Sequence, residues 1–88
     1  MSELDSVIAY PLDFPVKIMG LNQAGFTPAM VELVRRHAPD FDPATLETRP
    51  SREGKYLSLT VTIRAVSREQ LDGLYQALSD HPLVAMAL

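Results

Sequence analysis

The chain has 88 residues, 47% of them hydrophobic and 22% charged, with a formal net charge of −3 and no cysteine. That length suits one small domain; the missing cysteines exclude a disulfide scaffold, a thiolate metal site and a cysteine nucleophile; and the negative balance argues against nonspecific attraction to nucleic acid. No run approaches the roughly 18 apolar residues needed to span a bilayer, and Glu3 and Asp5 stand where a secretory leader wants positive charge, so a cytoplasmic protein that keeps off the membrane is expected.

Residues 1–12 read as an N-terminal tail of the single domain 1–88, with Val7, Ile8 and Tyr10 available to pack on the body. Phe14, Val16 and Ile18 then alternate with Pro15, Lys17 and Met19 as far as Gly20, the period of a strand with one buried face. Thr27 followed by Pro28 predicts a helix cap with proline at the first helical position. Met30, Val31, Leu33, Val34 and Ala38 share that helix's apolar side, Glu32, Arg35 and Arg36 lie opposite, and Pro39 ends it. A turn-rich connection leads into a short second strand, Ala44 to Arg49.

Pro50, Ser51 and Gly54 supply turn chemistry, and the β-branched run from Tyr56 to Ala65 predicts a third strand hairpinned to the second. Ser67 and Gln70 have the spacing of a capping box, the serine taking the Gln70 N–H while the glutamine reaches back. Leu71, Leu74, Tyr75 and Leu78 form the i, i+3, i+4, i+7 stripe of a second helix. Gly73, mid-helix, costs about 1 kcal/mol relative to alanine and signals either a close contact or simple tolerance. His81 to Leu88 closes the chain as a last strand, with Pro82 at its start.

The order β-α-β-β-α-β predicts an α+β, ferredoxin-like sandwich: a four-stranded antiparallel sheet with two helices on one face. Alternation turns Leu57, Leu59, Val61 and Ile63 toward the helices and leaves Lys17, Met19, Tyr56, Ser58, Thr60 and Thr62 on the open face. In the last strand both alternating sets are apolar, which points to self-association as a homodimer, with Met19, Tyr56, Leu83 and Ala85 as interface residues.

Three kinds of site are conceivable. Lys55-Tyr56 has the basic-aromatic start of an RNA-reading strand, but Ser58 and Thr60 stand where further aromatics are wanted and Phe14 belongs to the core face, so nucleic acid is disfavoured. Arg49, Arg52 and Lys55 crowd a flexible turn and suit an anion, although Glu47 and Glu53 dilute the charge and a solvated hairpin tip would look the same. The loop Gly20 to Phe26 joins a strand to a helix, where backbone N–H groups can hold a polar ligand. His37 reads as a partly buried or end-capping histidine. Metal binding by His37 with Asp40 and Asp42 is conceivable but disfavoured, so no metal site is expected, and no catalytic constellation or cofactor motif is found.

Phe14–Gly20 "FPVKIMG", "RRHAP" at 35–39, "RPSREGKYLSLTVTI" at 49–63 and the closing "LVAMAL" at 83–88 occur in an order that resembles the YbeD-like family of small uncharacterised bacterial proteins. The resemblance implies a ferredoxin-like fold similar to the ACT regulatory domains of amino-acid metabolism, no established enzymatic activity, and a suggested regulatory role linked to lipoate or amino-acid metabolism. In ACT domains a small ligand often sits at the loop after strand one, near an acidic or amide residue two positions before a Pro-Gly pair. Asn22 and Gly25 match that pattern and Ala24 replaces the proline. The expectation is a non-enzymatic regulatory or small-ligand-binding domain; the alternative is an interaction module that docks on a partner enzyme through its sheet face or closing strand.

Overall fold

A computed structural model describes residues 9–88, so the expectation for Val7 and Ile8 lies outside the described residues; Tyr10 packs against the core. The alternation read in the first apolar segment extends at both ends into a ten-residue strand β1, Leu12–Leu21. Chain order continues with α1, Phe26–His37; a 3₁₀ turn, Pro43–Thr45; β2, Glu47–Pro50; β3, Tyr56–Ala65; α2, Arg68–Asp80; and β4, Val84–Ala87. The sheet has the order β2-β3-β1-β4 with every pairing antiparallel, and α1 and α2 cover one face. The fold is the expected α+β ferredoxin-like one.

Burial follows the pleat. Val16 and Ile18 of β1 and Leu59, Val61 and Ile63 of β3 are fully buried against Phe26, Met30, Val34, Leu74 and Leu78 of the helices. Among the described residues no polar or charged residue is buried, so this core carries no desolvated charge that needs a partner.

Besides the longer β1, four details differ from the sequence reading. Helix α1 is capped by Gly25, without a side-chain cap, rather than by Thr27, and its first i→i−4 bond runs from Ala29 N–H to the Gly25 carbonyl. Pro28 therefore sits third in the helix, still within the first turn, where a missing N–H removes no bond. The second strand is Glu47–Pro50 rather than 44–49, because the Asp42 carboxylate accepts the Ala44 N–H and, with Pro43, winds 43–45 into the 3₁₀ turn. The last strand is confined to Val84–Ala87, after the His81 Nδ1 has accepted the Leu83 N–H.

The fourth difference lies in the capping box. Ser67 Oγ accepts the Gln70 N–H at 3.1 Å as expected, while Gln70 Oε1 reaches one residue further back than the motif requires, to the Val66 N–H at 2.7 Å. The same side chain donates from Nε2 to the His37 carbonyl at 2.9 Å. One glutamine thus starts α2 and satisfies an orphan carbonyl at the end of α1.

Two glycines are required by geometry. At Gly20 a Cβ would collide with the Leu83 carbonyl oxygen and the Phe26 ring, so the absent side chain lets β4 and α1 close on β1 at one point. Gly54 has φ +74 at the tip of the β2–β3 hairpin, a conformation that other residues adopt at a cost.

Candidate functional site: the open face of the sheet

The face of the sheet without helices collects the odd-numbered residues of β1 and the side chains registered with them. Met19 pairs with Ser58 on one side and Met86 on the other, Leu21 pairs with Tyr56, and Lys17 pairs with Thr60. Leu88 exchanges both backbone bonds with Lys17, at 3.0 and 2.8 Å, which carries the ladder past β4 and turns Leu88 to this face. On β2, Glu47 and Arg49 pair with Thr60 and Ser58 and point the same way.

An apolar corner results. Six large hydrophobic residues are exposed among the described residues: Met19 (37%), Leu21 (48%), Tyr56 (37%), Val66 (59%), Met86 (51%) and Leu88 (68%). All but Val66 lie on the open face, at the end where β1, β3 and β4 meet. Such gathering, rather than single exposed residues, distinguishes an interaction surface from ordinary protein exterior.

Cations border that corner. A shallow groove of about 580 Å³ is lined by Lys17, Arg49 and Arg52 together with Met19, Tyr56 and Leu88, and Lys17 and Arg49 also line an adjoining polar hollow of about 590 Å³ with Glu47. Lys55 Nζ stands 5.6 Å from the Tyr56 ring centroid, a cation–π contact that holds the ring flank basic. A concavity of similar size, about 660 Å³, follows the outer side of α1, but its Arg36 is already paired with Glu32 at 2.6 Å.

The hairpin tip that carries Arg52 and Lys55 is fixed from both sides. Ser51 N–H donates to the Tyr56 carbonyl and Ser51 Oγ accepts the Tyr56 N–H, while Gly54 N–H donates back to the Ser51 carbonyl. From across the sheet, Asn22 N–H donates to the Lys55 carbonyl at 2.8 Å and Asn22 Nδ2 to the Gly54 carbonyl at 3.0 Å.

The candidate residues are therefore distributed as follows. Arg49 and Arg52 share one groove with Met19 and Tyr56, and Lys55 flanks it. Asn22 has its side-chain amide engaged on the hairpin, and Gly25 is the exposed cap of α1. Leu83 is half-buried and packed against the core, Ala85 is exposed at the sheet edge, and both line a smaller hollow of about 260 Å³ with Leu21 and Tyr56. His37 is half-buried at the end of α1, its ring facing Gly73 of α2. Sequence reasoning did not place Leu21 or the Met19–Met86 and Lys17–Leu88 neighbours at the site, because a shift of register between Met19 and Gly20 sets those pairs. The continued apolar/polar alternation beyond Gly20 was the available signal for Leu21.

Among the described residues no group of three His, Asp or Glu side chains is placed to hold a metal ion, and no helix is long and apolar enough to cross a membrane.

A small ferredoxin-like domain with an uncovered, mixed apolar and basic sheet face is the class so defined, and comparison with known proteins places it. A family model described as "Protein of unknown function (DUF493)" matches residues 5–88. UPF0250 protein NE1487 of Nitrosomonas europaea is 62% identical over 84 residues, covering 96% of this chain and 97% of that protein. A UPF0250 protein of Janthinobacterium sp. (strain Marseille) is 56% identical over an alignment of 91 residues, covering 100% of both chains. The chain belongs to the DUF493 (UPF0250) family, and the resemblance to the YbeD-like proteins is borne out. The solution structure of HP0495 from H. pylori superposes with a TM-score of 0.74 at 21% identity, over 92% of this chain and 85% of that one, and shares the fold.

Proposed function

We propose that this protein is a non-enzymatic regulatory domain that acts by docking on a partner protein through the open face of its sheet. The carrying observation is the gathering of Met19, Leu21, Tyr56, Met86 and Leu88 at one corner of that face. The grooves favour a macromolecule over a small ligand, because they are shallow troughs on a sheet rather than enclosures that bury most of a small molecule. Asn22 and Gly25 remain the small-ligand alternative, which must share the Asn22 amide with the Gly54 carbonyl. The family resemblance makes enzymes of lipoate or amino-acid metabolism the first partners to try.

A photo-crosslinking residue placed at Met86 should capture one discrete adduct in cells, and the same residue at Glu69 on the helical side should not. An adduct of twice the chain mass would identify a second copy as the occupant and support the homodimer instead. No adduct from Met86 in a protein expressed at its natural level would sink the docking reading.

A further inference from the structure

We infer that the segment received by the open face is acidic as well as apolar: its carboxylates meet Lys17, Arg49 and Arg52 while its apolar side chains cover Met19, Met86 and Leu88. The inference rests on the docking reading above and adds the partner's chemistry.

The charge distribution motivates it. The chain carries eight Lys and Arg residues against eleven Asp and Glu, yet Lys17, Arg49, Arg52 and Lys55, half of its cations, border this one face. On the helices, Arg36 pairs with Glu32 at 2.6 Å and Arg68 lies 3.7 Å from Asp72. Among the described residues Lys17, Arg49 and Arg52 form no ion pair within 4.0 Å, although Glu47 shares their surface. Three cations beside a single carboxylate, Glu47, leave this patch with an excess of positive charge inside an acidic protein, and such a patch favours acidic partners over basic ones.

Geometry narrows the occupant further. The groove is lined by Lys17, Arg49 and Arg52 together with Met19, Tyr56 and Leu88, so a ligand that fills it must offer both negative charge and apolar surface. RNA would use the cations but finds one aromatic, Tyr56, among the described residues of the face, where stacking needs several.

The test uses the isotopically labelled whole chain, titrated with a short peptide of alternating leucine and glutamate while amide resonances are followed. Shifts should concentrate at Lys17, Met19, Arg49, Arg52, Tyr56 and Met86. The matched leucine–lysine peptide should bind about tenfold more weakly or worse. Arg49→Gln and Arg52→Gln, both at exposed positions whose folding the same spectrum reports, should each weaken the acidic peptide about threefold. Equal binding of the two peptides at these residues would overturn the acidic partner while leaving the docking face in place, whereas absence of shifts with either peptide would overturn both. A tighter response to oligouridylate at the same amides would replace the acidic segment with RNA.

Discussion

The side-chain amide of Asn22 donates to the Gly54 carbonyl at 3.0 Å, across 32 positions of sequence. Together with the Asn22 N–H on the Lys55 carbonyl at 2.8 Å, it fastens the tip of the β2–β3 hairpin to the end of β1. Arg52 and Lys55 are therefore held beside Met19 and Tyr56 by a residue on a neighbouring loop, and the basic side of the face is positioned before any partner arrives. Preorganisation of this kind lowers the ordering cost of binding.

Asn22→Ala removes one exposed hydrogen bond and should lower stability by about 1 kcal/mol, read as a shift of the urea midpoint. Its larger effect should be local, with faster amide exchange from Ser51 to Tyr56 and unchanged exchange in α2. Uniform protection across the hairpin in the variant would show that the tether is redundant.

At Gly20 even a methyl group meets the backbone of Leu83 and the ring of the fully buried Phe26. Gly20→Ala should cost about 2 kcal/mol or more, since neither neighbour can swing away freely. Chemical shifts of Leu83 and Val84 should move most. A variant with wild-type stability would contradict the close approach of β4 and α1 at this point.

Gly73 gives the opposite expectation. An added Cβ would lie 3.5 Å from His37 Nδ1, an ordinary contact, so Gly73→Ala should fit between the helices and gain about 1 kcal/mol from helix propensity alone. Thermal unfolding followed by circular dichroism checks the sign: a lower midpoint would mean that α1 and α2 pack more tightly than 3.5 Å implies.

Burial raises the Tyr75 phenol above its ordinary 10.0. The folded chain then holds this proton longer than the unfolded one, so the associated stability is complete below pH 10.0 and is lost as pH rises through the folded value. Stability should decline in that alkaline window, and less steeply in Tyr75→Phe. Identical slopes would assign the decline to other groups.

The fold was legible where periodicity was long and one-sided. Leu57, Leu59, Val61 and Ile63 declared both the strand and its inner face, and Leu71, Leu74 and Leu78 declared α2, because burial of these positions dominates local preference. Boundaries were lost to short-range chemistry: Asp42 capping a 3₁₀ turn delayed β2, and a first turn that accepts Pro28 at more than one position hid the start of α1. The site was legible in composition but not in arrangement. Arg49 and Arg52 were visible as a basic pair, whereas their sharing of a groove with Lys17 and Leu88 depends on strand register, and the engagement of Asn22 with Gly54 is a contact between distant segments.

The pleat of β1 and β3 has one further consequence. Residues that hold the molecule together and residues available to a partner are interleaved one by one along the same strands, yet they belong to opposite surfaces. If the open face docks a partner as proposed, substitutions at Met19, Tyr56 or Met86 should alter that recognition while the melting temperature stays put. A lineage of such domains could exchange partners by drift at every second position, without passing through an unstable fold on the way.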